Sequence, residues 1–219
     1  MENYGKYLAI LLIGPTGSSK TPLGILLETL GMLNKKCVHF DFGAQLRQIA
    51  DLNVCPDFLV QWEFNAIKSV LESGNLLSDE QFTIARKILN EFCRKRSIDD
   101  NTLLILNGLP RHYGQAEAIS PIIDVGIIIS LECSVEVVFR RISSDIGGDR
   151  AGRRDDNLTD VAKKLALFQE RTAPLLDYYR SQGKTIISLP VATETTAQRL
   201  WESLSQQTEL IRWFCQTAK

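Results

Sequence analysis

Gly14-Pro15-Thr16-Gly17-Ser18-Ser19-Lys20-Thr21 follows directly on the apolar run 7–13 and precedes a stretch of helical periodicity. Glycines let such a loop fold so that successive backbone N–H groups converge on one point. A lysine then reaches the terminal phosphates of a bound anion, and the next helix presents the positive end of its dipole. The strict phosphate-loop pattern fails at one place, because Ser19 holds the second glycine position. Serine fits there only if the backbone conformation is open to a residue with a Cβ. The plainer alternative is a Gly/Ser turn that caps a helix and leaves Lys20 solvated. On the phosphate-loop reading Gly14, Gly17, Ser18, Ser19, Lys20 and Thr21 hold the phosphates of a nucleotide.

Four further runs resemble the one before this loop: 36–40, 103–106, 126–131 and 185–189. Each is near-continuously apolar rather than alternating, the pattern of parallel strands covered on both faces. The segments between them carry helical periodicity. Leu158, Val161, Leu165 and Phe168 fall on one stripe, and Asp155-Asp156-Asn157 before them supply capping and first-turn chemistry. Strands alternating with helices predict an α/β three-layer sandwich on a five-stranded parallel sheet, of the phosphate-loop NTPase type. Two interruptions stand out, a helical stretch from about 43 to 77 and a Gly/Arg/Asp-rich segment, 143–154. The latter combines Gly147, Gly148 and Gly152 with Arg150, Arg153 and Arg154, a composition suited to closing over an anion.

Composition bounds the partners. The 219 residues are 44% hydrophobic and 23% charged, enough for one well-packed domain. A net charge of −1 excludes bulk electrostatic binding to nucleic acid or anionic lipid, though not a local basic pocket. The apolar run near the start is seven residues long and breaks at Gly14-Pro15 without a small-residue cleavage site, so a strand explains it better than a signal peptide. No stretch approaches the ~20 apolar residues of a membrane span, and a cytoplasmic protein is expected. The five cysteines (Cys37, Cys55, Cys93, Cys133, Cys215) form no CxxC pair, and His39 and His112 are the only histidines. A zinc site or disulfide framework is not expected. The cysteines read as small buried hydrophobes or incidental surface thiols.

Six blocks, in order, resemble the nucleoside monophosphate kinases, adenylate kinase in particular. After the phosphate loop come Phe42-Gly43-Ala44-Gln45-Leu46-Arg47, similar to TGDxLR, and Gly74-Asn75-Leu76-Leu77-Ser78-Asp79-Glu80, similar to GxLVxDE. Leu106-Asn107-Gly108-Leu109-Pro110-Arg111 with Gln115 resembles DGFPRxxxQ. Gly152-Arg153-Arg154-Asp155-Asp156-Asn157 resembles GRxDD, and Thr172-Ala173-Pro174-Leu175-Leu176-Asp177-Tyr178-Tyr179 resembles TxPLxxYY. The set covers roughly residues 7–190. The tail 193–219, with Leu200, Trp201, Leu204, Leu210, Trp213 and Phe214, lies outside it and reads as a core-packing or dimer-contact helix.

The resemblance implies one kinase domain with a monophosphate-binding segment over about 42–77 and a short lid over 143–153. It implies transfer of the γ-phosphoryl group of ATP to a monophosphate, AMP favoured, with Mg²⁺ as cofactor, in a monomer or homodimer. Gly43, Arg47, Leu77, Gly108, Arg111 and Gln115 would then hold the acceptor, Gln115 by hydrogen bonds to its base. Lys20, Arg111, Arg153 and Lys164 would act on the transferring group, and Arg141 would pack on the ATP base. Guanidinium groups suit this work because they give bidentate hydrogen bonds to phosphate at fixed charge. Plainer readings stand beside these: Arg140 and Arg141 as a solvated helix end, Lys164 as one face of an amphipathic helix, His112 as a loop residue.

The chain departs from the family pattern at several points. Asn107 and Ala44 replace aspartates, Phe42 a threonine and Lys164 an arginine, Thr21-Pro22 stands for Gly-Thr, and Asp145 lies near where the lid has an arginine. Ser19, Asn107 and Ala44 suggest one alternative, a nucleotide-binding protein with weak or lost catalysis, and Phe42 suggests another, a kinase of the same fold with another small acceptor. The departures also lead to the expectation that Asn107→Asp lowers the magnesium requirement, because a carboxylate offers more charge and more acceptor capacity than an amide.

Overall fold

The structure, a computed structural model, describes residues 6–74, 77–78, 81–99, 101–149 and 157–217. Five strands, β1 (Tyr7–Ile13), β2 (Lys36–Asp41), β3 (Thr102–Asn107), β4 (Ile123–Glu132) and β5 (Thr185–Pro190), form one sheet in the order β2-β3-β1-β4-β5. Every neighbouring pair is parallel. Helices cover both faces: α1 (Lys20–Leu30), α2 (Phe42–Ala50), α3 (Gln61–Ser73), α4 (Phe82–Lys95), α5 (Tyr113–Ile119), α6 (Val135–Ser144), α7 (Leu158–Leu167), α8 (Leu175–Ser181), α9 (Ala197–Ser205) and α10 (Thr208–Thr217). A π-helical turn, Phe168–Thr172, joins α7 to α8. This is the three-layer α/β fold of phosphate-loop NTPases.

The alternation along β1 explains why its sequence reads as unbroken apolar. Ala9, Leu11 and Ile13 enter one core with Phe40, Ile84, Ile88, Ala116 and Leu175, while Ile10 and Leu12 enter the other with Leu23 and Leu27 of α1. Leu200, Leu204, Leu210 and Phe214 complete that second core, so α9 and α10 are part of the packed body. The Trp201 indole donates to the Gly31 carbonyl at 3.2 Å. The ring of Trp213 lies over Gly126 of β4, where a Cβ would meet it at 2.2 Å.

Several elements differ from the pattern predicted by hydrophobicity. β2 and β3 each run one or more residues further, to Asp41 and Asn107, which pair in register. β4 begins at Ile123, because the exposed Asp124 falls between buried residues and still pairs with Leu8. The helical stretch after Gly43 resolves into two helices. The connection between α2 and α3 contains Pro56, which cannot continue a helix. Asn157 caps α7 through the Asp160 N–H at 2.9 Å, whereas Asp155 and Asp156 lie outside the described residues. The α7 stripe is only partly buried: Val161 is enclosed, Leu158 is 74% exposed, and Leu165 and Phe168 are half-buried. Its apolar side borders an open cleft, which Leu167 and Phe168 help to line.

Cys37 and Cys93 are buried, Cys55 and Cys133 half-buried and Cys215 exposed, all as free thiols. Burial pushes the Cys37 and Cys93 thiols up to about 12, which leaves both unreactive at neutral pH. No described helix is long and apolar enough to cross a membrane.

Candidate functional site

The C-terminal ends of β1, β2 and β3 open into one cleft, the usual ligand position in a parallel α/β sheet. The loop after β1 forms one wall, α2 and α3 the second, and α7 with the π-helical turn the third. Lys20, Arg47, Arg111 and Lys164, four of the cations expected at a phosphoryl-transfer site, all line it. Gly14, Gly17, Ser19, Thr21, Gly43, Leu77, Gly108 and Gln115 line it as well. Ser18 is fully buried inside the loop. Arg153 lies outside the described residues, as does the expected lid beyond residue 149; Asp149, just before, borders the cleft.

The loop holds a tight, left-handed path. Gly17 has φ 78°, and Ser19 has φ 68° and ψ 24°, so the serine adopts the conformation that usually calls for glycine. The Ser18 hydroxyl donates to the Pro15 carbonyl at 2.8 Å. The Lys20 ammonium folds over the loop and donates to the carbonyls of Gly14 and Pro15, each at 2.7 Å. The ammonium is thus held against the loop that leads into α1, at whose start an anion is favoured by the helix dipole.

Arg141 is placed below the loop, 3% exposed. Its Nε donates to the Gly17 carbonyl at 2.9 Å and its Nη2 to the Ser19 hydroxyl. Its Nη1 donates to the carbonyls of Ala192, Thr193 and Thr195 at 2.8, 2.7 and 2.9 Å. The guanidinium that the resemblance would lay on the ATP base is therefore engaged here in fastening the loop to the segment after β5. Nothing in the run Arg140-Arg141-Ile142 distinguishes such a buried anchor from a solvated helix end.

The floor of the cleft contains a group that the sequence reading passed over. Asp41 ends β2, and its Oδ2 accepts from the Thr21 hydroxyl at 2.5 Å and from the Asn107 amide at 2.8 Å. The Asn107 amide also donates to the Thr21 hydroxyl oxygen at 3.0 Å. The other carboxylate oxygen, Oδ1, accepts from the Ala44 N–H at 2.9 Å and caps α2. The signal that could have found it is an Asp directly after an apolar run and directly before the first turn of a helix, in N-cap position.

Arg111 follows Gly108 (φ 80°) and the cis Leu109–Pro110 bond. Burial pushes its guanidinium below the ordinary arginine range, and the charge of Asp41 pulls it back up. Because arginine stays protonated, this describes a cation held in a poorly solvated place with one nearby counter-charge, ready to pair with an anion. Its backbone is fixed from two sides: its N–H donates to Gln115 Oε1 at 2.8 Å, and its carbonyl accepts from the Thr172 hydroxyl at 2.8 Å. The Gln115 amide in turn donates to the Leu77 carbonyl at 3.3 Å. One amide hydrogen and one oxygen lone pair of Gln115 remain for another partner by valence.

Among the described residues no cluster of three or more His, Cys, Asp or Glu could hold a metal ion by itself. The hard oxygens that reach the cleft floor, the Asp41 carboxylate and the Thr21 hydroxyl, suit magnesium, which keeps most of its waters and takes further ligands from substrate phosphates. These residues fit a metal that arrives with a nucleotide.

Comparison with known proteins finds similarity to adenylate kinases. The adenylate kinase family model matches residues 63–184. An adenylate kinase of Synechococcus sp. is 29% identical over 204 residues, covering 90% of this chain and 98% of that protein. Adenylate kinase 1 of Synechocystis sp. is 30% identical over 182 residues, 80% of this chain and 84% of its own. An adenylate kinase of Haloarcula marismortui is 24% identical over 221 residues, 89% and 94% of the two chains.

Proposed function

Since the chain belongs to the adenylate kinase family, we propose that it transfers the γ-phosphoryl group of ATP to a nucleoside monophosphate, with AMP the favoured acceptor. The observation that carries this reading is the convergence of Lys20, Arg47, Arg111 and Lys164 on one cleft at the mouth of the phosphate loop. Two polyanions meeting there need their repulsion cancelled and their reacting oxygens aligned, and fixed cations in a partly enclosed cleft supply both.

The loop N–H groups and Lys20 bind the ATP phosphates, Lys20 releasing the Gly14 and Pro15 carbonyls as it does so. Arg47 and Arg111 hold the acceptor phosphate; the Thr172 and Gln115 bonds keep Arg111 aimed. Lys164, with Arg153 from beyond the described residues, neutralises charge on the group in flight. Lys164 offers a point charge where a forked donor would give two aligned bonds. Gln115, anchored to Leu77 and Arg111, presents its remaining donor and acceptor to the acceptor base. The oxygens at the cleft floor would hold a magnesium ion brought in with the nucleotide, which would supply positive charge against that of the phosphates.

An ADP-formation assay with ATP and a panel of monophosphates tests the reading. AMP should give the highest kcat/KM. Turnover with no monophosphate would overturn it and leave a nucleotide-binding protein. In calorimetry Lys20→Ala should weaken ATP binding by roughly 10- to 100-fold, the worth of a charge-assisted contact. Unchanged affinity in that variant would remove the phosphate loop from the site.

A further inference from the structure

We propose that Asp41 is the carboxylate through which this protein positions nucleotide-bound magnesium, with Asn107 serving as its orienting donor. The inference rests on the nucleotide site proposed above and deepens it.

Three observations lead to it. Asp41 and Asn107 are the last residues of adjacent parallel strands and pair in register, so both side chains emerge at the cleft floor on the same side. Asp41 Oδ2 lies 2.5 Å from the hydroxyl of Thr21, the residue that follows Lys20 in the loop. Phosphate-loop enzymes hold magnesium with a loop hydroxyl and an aspartate at a strand end. The two carboxylates lining the cleft among the described residues are Asp41 and Asp149, and Asp41 alone of these stands on the floor beside the loop.

Asn107 cannot supply this charge. Its amide nitrogen is spent on Thr21 and Asp41; with the Thr21 hydroxyl it fills both acceptor sites of Oδ2, so the lone pair left for a metal-bound water is on Oδ1, beside the Ala44 N–H. The chemistry that an aspartate at position 107 would provide is thus displaced by one strand, to position 41. Asp41 is half-buried among polar groups. Oδ1 is held by the Ala44 N–H and Oδ2 by two donors, so the carboxylate is rigid. Outer-shell groups of this kind tune a metal by orienting its waters.

The test measures ATP affinity by calorimetry with magnesium and with chelator, in the wild type, Asp41→Asn and Asp41→Asn/Asn107→Asp. Asparagine caps helices as well as aspartate does, so the first variant keeps the α2 cap while removing the charge. Wild type should bind ATP more tightly with magnesium. Asp41→Asn should cut that enhancement about tenfold, the usual cost of losing an outer-shell metal partner, and leave chelator-condition affinity equal or higher. The double variant, which moves the carboxylate across one hydrogen bond, should recover most of the enhancement. An Asp41→Asn protein with its enhancement intact, or a folded double variant that stays deficient, overturns the assignment. Failure of the wild type to bind ATP under either condition would sink the nucleotide site itself, a result distinguishable from the other two.

Discussion

Ser19 sits in the left-handed region at φ 68°, where a side chain with a Cβ costs about 1–2 kcal/mol relative to glycine. The bond from Arg141 to its hydroxyl offsets that cost. Ser19→Gly should therefore change stability by less than about 1 kcal/mol, strain relief and bond loss nearly cancelling. Ser19→Val, β-branched and without the hydroxyl, should lose about 2–3 kcal/mol, as urea midpoints would register. Asn107→Asp is a different case. Its expected benefit to magnesium handling does not survive the 2.8 Å contact with Asp41. The exchange would set two carboxylates against each other, and such a pair holds a proton between them. We expect Asn107→Asp to melt below the wild type at pH 7, with the gap narrowing as pH falls and the pair takes up a proton. A variant as stable as wild type across that range would contradict the geometry.

The strands were legible as apolar runs, since burial on both faces demands apolar residues at every position. Their ends were not, and the polar residues that line the cleft floor are at the ends. Asp41 and Asn107 belong to β2 and β3 by hydrogen-bond register, which hydrophobicity does not report. The phosphate loop and Arg111 could be found because glycine spacing and a strand–turn–arginine order are local. The partners of Arg141 are distant in sequence and leave no local trace. Packing between elements has its own hidden constraint at His39, on β2 beneath α1. A Cβ on Gly24 would lie 2.3 Å from the imidazole Nε2, which is buried without a hydrogen-bond partner. Burial pushes the His39 pKa below its ordinary 6.5, against the pull of Asp41 and Glu28. The unfolded chain therefore takes up a proton first as pH drops, and stability falls from pH 6.5 toward the folded value, by at most about 1.4 kcal/mol per pH unit. Urea midpoints between pH 5 and 7 should show a shallower slope for His39→Gln than for wild type.

At the scale of the whole molecule the helices after β5 close the second core. Leu200, Leu204, Leu210 and Phe214 are each at most 7% exposed. Burial of such side chains contributes about 1.5–3 kcal/mol apiece, so together they rival the ~5–15 kcal/mol net stability of a typical domain. A chain shortened to residues 1–195 should fail to show a cooperative melting transition. A sharp transition within a few degrees of the full chain would mean that the sheet and α1 are self-sufficient. Gly126→Ala tests the same contact more gently: the added methyl meets Trp213, and the displaced indole should show as a red-shifted tryptophan emission.

Arg141 ties Gly17 and Ser19 to Ala192, Thr193 and Thr195, far along the chain. On the ribosome this fixes an order of events. The phosphate loop emerges well before its lower fastening, which waits for residues 192–195. At a synthesis rate of roughly 5–20 residues per second, that interval lasts on the order of ten to thirty seconds. Through it the nascent chain carries an unfinished nucleotide loop, and ATP can add little to the stability of the growing fold until residues 192–195 have been made.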